Sequence, residues 1–269
     1  MNKNSPIGVF DAGIGGFTVV KEMQELMPAE DLIYYADSAN MPYGNRSEEE
    51  ILFMTRQIQD FMAEQGVKAV AVACNTISTL IDKYRDGYPF KIFSVVEAGS
   101  ASAAAIKELK SVGMIGTVFT AQTKCYNRLI GALRPDVQVT GAGCPNLARL
   151  IDSGNLAPEV IDPELRKAVD SILSQAAVTH LILGCTHYPM VSEHLNRLYP
   201  GLKLINPARE EALAVKNYLA GQGWLKEEGK GSFTVNTTGE PALALAAAQR
   251  FGLKMPNLVL KVPAPKRLA

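Results

Sequence analysis

Two short segments of this chain have the same form. Val70-Ala71-Val72-Ala73 runs into Cys74-Asn75-Thr76, and Leu181-Ile182-Leu183-Gly184 runs into Cys185-Thr186-His187. Each apolar run reads as a strand buried on both faces, as in a parallel sheet covered by helices. Each cysteine then sits just past the C-terminal end of its strand, ahead of a helix-like stretch. In open α/β sheets that is where ligands bind. One such cysteine in each half of the chain could approach a single small molecule from opposite sides. A proton swap at a carbon stereocentre needs two-sided chemistry of that kind.

The remaining sequence alternates between strand and helix patterns throughout, which argues for an α/β fold with mainly parallel sheets. Residues 7–10 predict a strand ending at Asp11, and Gly13, Gly15 and Gly16 turn it into a helix over 17–27. Residues 32–35 predict the next strand, followed by a loop over 37–44 that holds Pro42 and Gly44. Ser47 with Glu50 three residues on has capping-box spacing and opens a helix running through Ile51, Ile58, Phe61 and Met62. In the second half, residues 112–116, 137–140 and 203–205 predict strands. Helices are predicted after Thr120 and over 163–177 and 210–219. Residues 221–231 read as a surface loop, 233–235 as a strand, and 241–251 as a helix whose alanines pack rather than form a low-complexity tract. The picture is two α/β domains facing across a cleft, with the boundary near Glu97.

Charge and cysteine content narrow the function classes. Lys and Arg together number 27, as do Asp and Glu, which leaves no basic footprint for nucleic acid or an anionic membrane surface. Lys266-Arg267 reads as a solvated tail. The N-terminal residues lack the apolar core of a signal peptide, and no run approaches spanning length, so the reading is a cytoplasmic protein. Four cysteines in 269 residues do not make a disulfide framework. Cys125 and Cys144 read as small buried hydrophobes and His180 as a structural residue. Without a C-x-x-C pair, a zinc site at Cys74, Cys185 and His187 is disfavoured, and no metal is expected. The glycines after Asp11 do not fit G-x-G-x-x-G, so no dinucleotide cofactor is expected either.

With these segments in view, the chain resembles the glutamate racemases of the cofactor-independent aspartate/glutamate racemase superfamily, nearly end to end. The resemblance rests on Gly8 to Gly16, Met41-Pro42-Tyr43-Gly44, Ala73-Cys74-Asn75-Thr76, Leu183 to Pro189, and Thr237-Thr238-Gly239. It implies two pseudo-symmetric α/β domains with the active site between them. Domain one would comprise residues 1–97 and 209–269, and domain two residues 98–208. It also implies a homodimer and a role in supplying D-glutamate for peptidoglycan. Departures from the family pattern are Ala12 in place of a serine and Asp152 in place of a glutamate. Asn146 to Arg149 lacks an aromatic-proline pattern, and Asn206-Pro207 replaces aspartate-serine.

The resemblance implies roles for particular residues. Cys74 would take the α-proton of D-glutamate and Cys185 that of L-glutamate, each returning a proton when the other acts as base. Asp11 would assist Cys74, and His187 would assist Cys185. A free thiol has a pKa of roughly 8.5, so its surroundings must tune it. A nearby carboxylate can accept or orient a thiol proton, although its charge alone raises the thiol pKa. A histidine shuttles protons near neutral pH. Substrate carboxylates would be held by Ala12 (through its backbone), Asn75, Thr76, Thr117, Thr120 and Thr186, beside the Pro42-Tyr43-Gly44 loop. Helix N-termini after both cysteines would favour anions. Asp152 reads either as an assisting carboxylate or as a plain helix-surface one. Asp11 is also in position to cap the helix that follows it. Alternatives are a racemase of the same mechanism acting on another amino acid such as aspartate, a non-catalytic amino-acid-binding protein, and a hydrolase with a single cysteine nucleophile.

Overall fold

The computed structural model describes residues 1–268. The first part of the chain runs β1 (Ile7–Asp11), α1 (Phe17–Leu26), β2 (Leu32–Ala36), α2 (Glu48–Glu64), β3 (Ala69–Val72), α3 (Asn75–Ser78) and β4 (Lys91–Ser94). It continues with α4 (Val95–Ala104), β5 (Ser111–Gly116), α5 (Val118–Gln122), α6 (Cys125–Leu133), β6 (Gln138–Gly143), α7 (Leu147–Asp152), α8 (Pro158–Leu173), β7 (His180–Gly184), α9 (Ser192–Leu198) and β8 (Lys203–Ile205). It closes with α10 (Pro207–Gly221), β9 (Phe233–Thr237), α11 (Pro241–Arg250) and β10 (Leu258–Lys261).

The strands form two sheets in which every pairing is parallel. The order is β10-β9-β2-β1-β3-β4 in one and β6-β5-β7-β8 in the other. The run β2-β1-β3-β4 has the same order as the whole second sheet, so β1 matches β5 and β3 matches β7. Cys74 and Cys185 therefore follow equivalent strands, β3 and β7. This is why two apolar runs far apart in sequence carry their cysteines to equivalent places.

The two sheets exchange helices. Val95, Val96 and Ala103 of α4, which follows β4 of the first sheet, share a core with Val112 and Met114 of β5. Ala208, Ala212, Val215 and Leu219 of α10, which follows β8 of the second sheet, share a core with Ile7 and Val9 of β1. The helices α4 and α10 pack on one another where the chain crosses. A Cβ on Gly99 of α4 would lie 2.8 Å from Pro207 Cγ, so this contact needs a glycine.

Several elements depart from the sequence reading. Strands β4 and β10 and helix α4 are not predicted. The segment Lys91–Ser94 is only four residues long, α4 is rich in Ala, Ser and Gly without an apolar stripe, and β10 is a largely exposed edge strand. Helix α8 begins at Pro158 rather than 163, because Pro158 takes the first-turn position and Pro163 lies inside the helix. The helix predicted after Thr120 begins at Val118, capped by the Thr117 side chain. Another feature without a sequence signal is the ion pair between Lys68 and Glu30, at 2.6 Å with both side chains fully buried. The Lys68 ammonium also donates to the Lys3 and Trp224 carbonyls.

Candidate active site

A cavity of about 220 Å³ lies at the C-terminal ends of both sheets, with Cys74 and Cys185 in its wall. Asp11, at the end of β1, and Cys74 both line the cavity, and the Asp11 charge acts on the thiol. Asp11 Oδ1 accepts the Ala12 amide N–H at 2.7 Å, and Oδ2 accepts the Thr186 hydroxyl at 3.0 Å. Asp11 therefore does not cap α1, whose N-cap is Gly16 without a side-chain bond. The Ala12 N–H is already engaged by this carboxylate.

Around Cys185 the arrangement differs. His187 Nδ1 lies 3.7 Å from the Cys185 sulfur, and His187 Nε2 lies 2.9 Å from Asp152 Oδ1. Asp152 is thus paired within the site rather than free on the helix surface. It comes from α7, where Leu147 and Ile151 are buried with Ile115, Leu181 and Leu183 of the second sheet and Ala148, Arg149 and Asp152 line the cavity.

The two half-sites have different electrostatics. Burial pushes the Asp11 carboxyl above the usual carboxylate range, against the opposing pull of the His187 charge and of its hydrogen bonds. Burial, and then the Asp11 charge, push the Cys74 thiol well above its ordinary value. Burial alone would push the His187 imidazole down. Its hydrogen bonds to Asp152 and Cys185, and their charges, carry it well above its ordinary value instead. One side of the cavity thus keeps a thiol beside a carboxyl group, and the other keeps an imidazolium beside a sulfur.

Hydroxyls and loops close the cavity across the domain junction. The Thr76 and Thr117 hydroxyls are 3.0 Å apart, and Thr117 and Thr120 are 2.9 Å apart. Thr120 is fully buried behind Thr117 and does not reach the cavity lining. Asn75 lines the cavity and accepts the Tyr126 hydroxyl at 2.8 Å on Oδ1. Pro42, Tyr43 and Gly44 also line it. The Tyr43 hydroxyl donates to Asp37 Oδ2 at 2.6 Å, and Thr238 donates to Asp37 Oδ1 at 2.9 Å, so the end of β9 holds this loop. A Cβ on Gly15 would lie 2.5 Å from Thr186 Oγ1 and 2.6 Å from the His187 ring.

The helices following the cysteines are shorter than the sequence suggests. Cys74 opens the single turn α3, and a 3-10 turn over Tyr188–Val191 follows Cys185. So little aligned dipole leaves the anion-favouring role to side chains and individual amides. Met41, Ala148 and Arg149 line the cavity without having been singled out as site residues. Met41 directly precedes the Pro42 loop, while Ala148 and Arg149 fall in a stretch noted only for its departures. Tyr126, which orients Asn75, has no local sequence signal.

Among the described residues, no three Cys, His, Asp or Glu side chains are grouped to hold a metal ion, and no helix is long and apolar enough to cross a membrane. Chemically, the cavity offers acid–base groups from both sheets to one small molecule. The family model for Asp/Glu/Hydantoin racemase matches residues 7–214. The chain belongs to this racemase family. Its members similar to this chain include a glutamate racemase of Thermoanaerobacter pseudethanolicus, 38% identical over 234 residues, which span 86% of this chain and 88% of that one. A crystal structure of a glutamate racemase isoform from Bacillus anthracis aligns with a TM-score of 0.92 at 28% identity, covering 98% of this chain and 100% of that one. The Francisella tularensis glutamate racemase in complex with D-glutamate aligns with a TM-score of 0.88 at 28% identity, covering 97% and 98%. Family membership makes the chain an isomerase of the amino-acid racemase type.

Proposed function

We propose that this racemase interconverts L- and D-glutamate without a cofactor, by proton transfer between the substrate α-carbon and two cysteines. The observation that carries this reading is that Cys74 and Cys185, from equivalent strands of two sheets, line one cavity. From L-glutamate, the Cys185 thiolate takes the α-proton and the Cys74 thiol gives its own proton to the opposite face, leaving D-glutamate. The reverse reaction exchanges the two roles. The His187 ring, held by Asp152, lies 3.7 Å from the Cys185 sulfur and exchanges the proton that Cys185 takes or gives. Asp11 orients the Cys74 thiol and accepts its proton when Cys74 must act as base. The cavity hydroxyls and the Asn75 amide hold the substrate carboxylates, which lowers the cost of the α-carbanion.

Glutamate is favoured as the substrate by the similarity to glutamate racemases over most of the chain. Such an enzyme supplies D-glutamate for peptidoglycan, works in the cytoplasm and assembles as a homodimer. Sedimentation velocity tests the last of these.

Proton NMR of L-glutamate in D2O with the reduced protein and no added cofactor, followed by chiral analysis, tests the reaction. Loss of the α-proton signal with D-glutamate appearing supports the reading. A folded sample that exchanges no glutamate proton rejects glutamate as the substrate. Cys74→Ala and Cys185→Ala should each lower racemisation by about 10³-fold or more while binding persists. Full racemisation by either variant would overturn the two-base mechanism.

A further inference from the structure

The segment that follows β10 is not the solvated tail that its basic residues suggest in sequence. It folds back along the first sheet toward the active site. The Val262 amide donates to the Thr237 carbonyl at 2.9 Å, and the Tyr35 hydroxyl donates to the Pro263 carbonyl at 3.1 Å. The Gln57 side chain of α2 then clamps the Lys266 backbone, accepting its N–H at 2.9 Å and donating to its carbonyl at 3.0 Å. Arg267 is thereby brought onto the loop after β2. Its Nε donates to Asn40 Oδ1 at 2.7 Å and its Nη2 to the Ala39 carbonyl at 3.2 Å. Asn40 is only 2% exposed, and it directly precedes Met41, Pro42, Tyr43 and Gly44 of the cavity wall.

We propose that Arg267 is a positioning residue for the Met41–Gly44 wall of the active site. Around this wall the only regular structure is two single 3-10 turns, Ser38–Asn40 and Tyr43–Asn45, so side-chain bonds must set its place. Asp37 holds the far end by accepting the Tyr43 hydroxyl. Arg46 holds the near end, donating to the Asn40 carbonyl from Nε at 2.9 Å and from Nη2 at 2.7 Å. The Asn40 side chain joins these anchors to the returning segment. Its nitrogen donates to Asp37 Oδ2 and to the Pro265 carbonyl, each at 3.0 Å, while its oxygen accepts Arg267. An amide has one donating and one accepting end. The guanidinium is always cationic and can only donate, so it demands the oxygen and keeps the nitrogen turned to Asp37. Without that donor, Oδ1 becomes a buried acceptor with no partner among the described residues, which is costly. A relay therefore runs from Arg267 through Asn40 and Asp37 to Tyr43, from the protein surface to the cavity wall. It serves whichever amino acid the cavity takes, and so goes beyond the glutamate reading.

The test compares wild type with Arg267→Met, Arg267→Gln and Lys266→Met. Methionine fills much of the arginine stem without a donor. The glutamine side-chain nitrogen stands as many bonds from the backbone as arginine Nε, so it keeps the bond to Asn40 without the charge. Lys266 carries a neighbouring charge, and only its backbone is bonded to described residues. Racemisation of both glutamate enantiomers is measured together with hydrogen exchange at the bonded amides of Ala39, Asn40 and Arg46. The wall carries none of the proton-transferring groups. Arg267→Met should therefore raise KM by about 10-fold with kcat within about 3-fold and the pH limbs unmoved. Exchange of the three amides should quicken by about 10-fold, while exchange in α8 stays as in wild type. Arg267→Gln should bring KM and amide exchange back to within about 3-fold of wild type, and Lys266→Met should match wild type. A KM within about 2-fold of wild type in Arg267→Met, or unchanged amide exchange, overturns the assignment. So does a loss that Arg267→Gln fails to recover or that Lys266→Met shares. If the wild type exchanges no glutamate proton, the glutamate reading fails, and amide exchange alone decides the role of Arg267.

Discussion

Asp152 shows how one side chain sets the protonation state of the site. His187 is buried, and burial by itself pushes an imidazole toward neutrality. The Asp152 hydrogen bond and charge, together with those of Cys185, reverse that. Asp152→Asn should therefore let the His187 pKa fall, and the imidazolium beside Cys185 should be lost at lower pH. The alkaline limb of the pH–rate profile should move toward acid, with kcat/KM lower by about 10²-fold near neutral pH. Because L- and D-glutamate have equal free energy, kcat/KM must fall equally in both directions. A profile that keeps its alkaline limb would show that Asp152 does not control His187. Much of this scale was legible in sequence: Cys74, Cys185, Asp11 and His187 all fall in recognisable segments. Local sequence left open whether Asp152 faced solvent or the site, because that depends on where α7 docks.

Single elements carry their own tests. Helix α2 begins with both halves of a capping box, Ser47 accepting from the Glu50 amide at 3.2 Å and Glu50 accepting from the Ser47 amide at 3.0 Å. Ser47→Ala should cost about 1 kcal/mol in denaturant unfolding. Helix α10 carries a costlier feature. Glu211 is completely buried with neither carboxyl oxygen hydrogen-bonded to any described residue, and Ser100 Oγ on α4 likewise has no partner among them. Burial, followed by the Asp11 and Glu97 charges, pushes the Glu211 carboxyl well above its ordinary value. The folded protein thus holds this proton more tightly than the unfolded chain does. Any stability linked to it is fully present below the ordinary glutamate pKa and is lost as pH rises above it. Glu211→Met removes the orphaned acid, so it should raise the melting temperature, and by more at pH 8 than at pH 5. A gain independent of pH would mean that the folded and unfolded chains bind this proton equally across that range, so that the fold does not hold Glu211 protonated. Neither polar orphan shows in the sequence, where Glu211 looks like another surface residue of an amphipathic helix.

The whole molecule brings its two halves together through close backbone approaches. Gly15, in the loop after β1, passes so near Thr186 and His187 that a methyl group there would collide with both. Gly15→Ala should hold the domains apart, leaving each core folded but cutting kcat/KM sharply. Near-native circular dichroism with activity retained would show that the cleft tolerates a wider setting. Where the two crossing helices meet, Gly99→Ala should disturb the α4–α10 contact at Pro207 and lower stability by about 1–3 kcal/mol.

The alternating strands, the capping box of α2 and the two strand-end cysteines follow from local rules: period, turn chemistry and the burial of parallel strands. Sequence alone therefore determined the α/β class, most strand positions and the residues with the strongest chemistry. Tertiary structure decided the rest. It exchanged α4 and α10 between the sheets, drew Asp152 onto His187, engaged the Ala12 amide with Asp11 and set Thr120 behind Thr117. It also brought Arg267 back onto Asn40. Each of these depends on groups distant in sequence meeting at a fixed separation, and no local pattern encodes where two independently folded faces come into register.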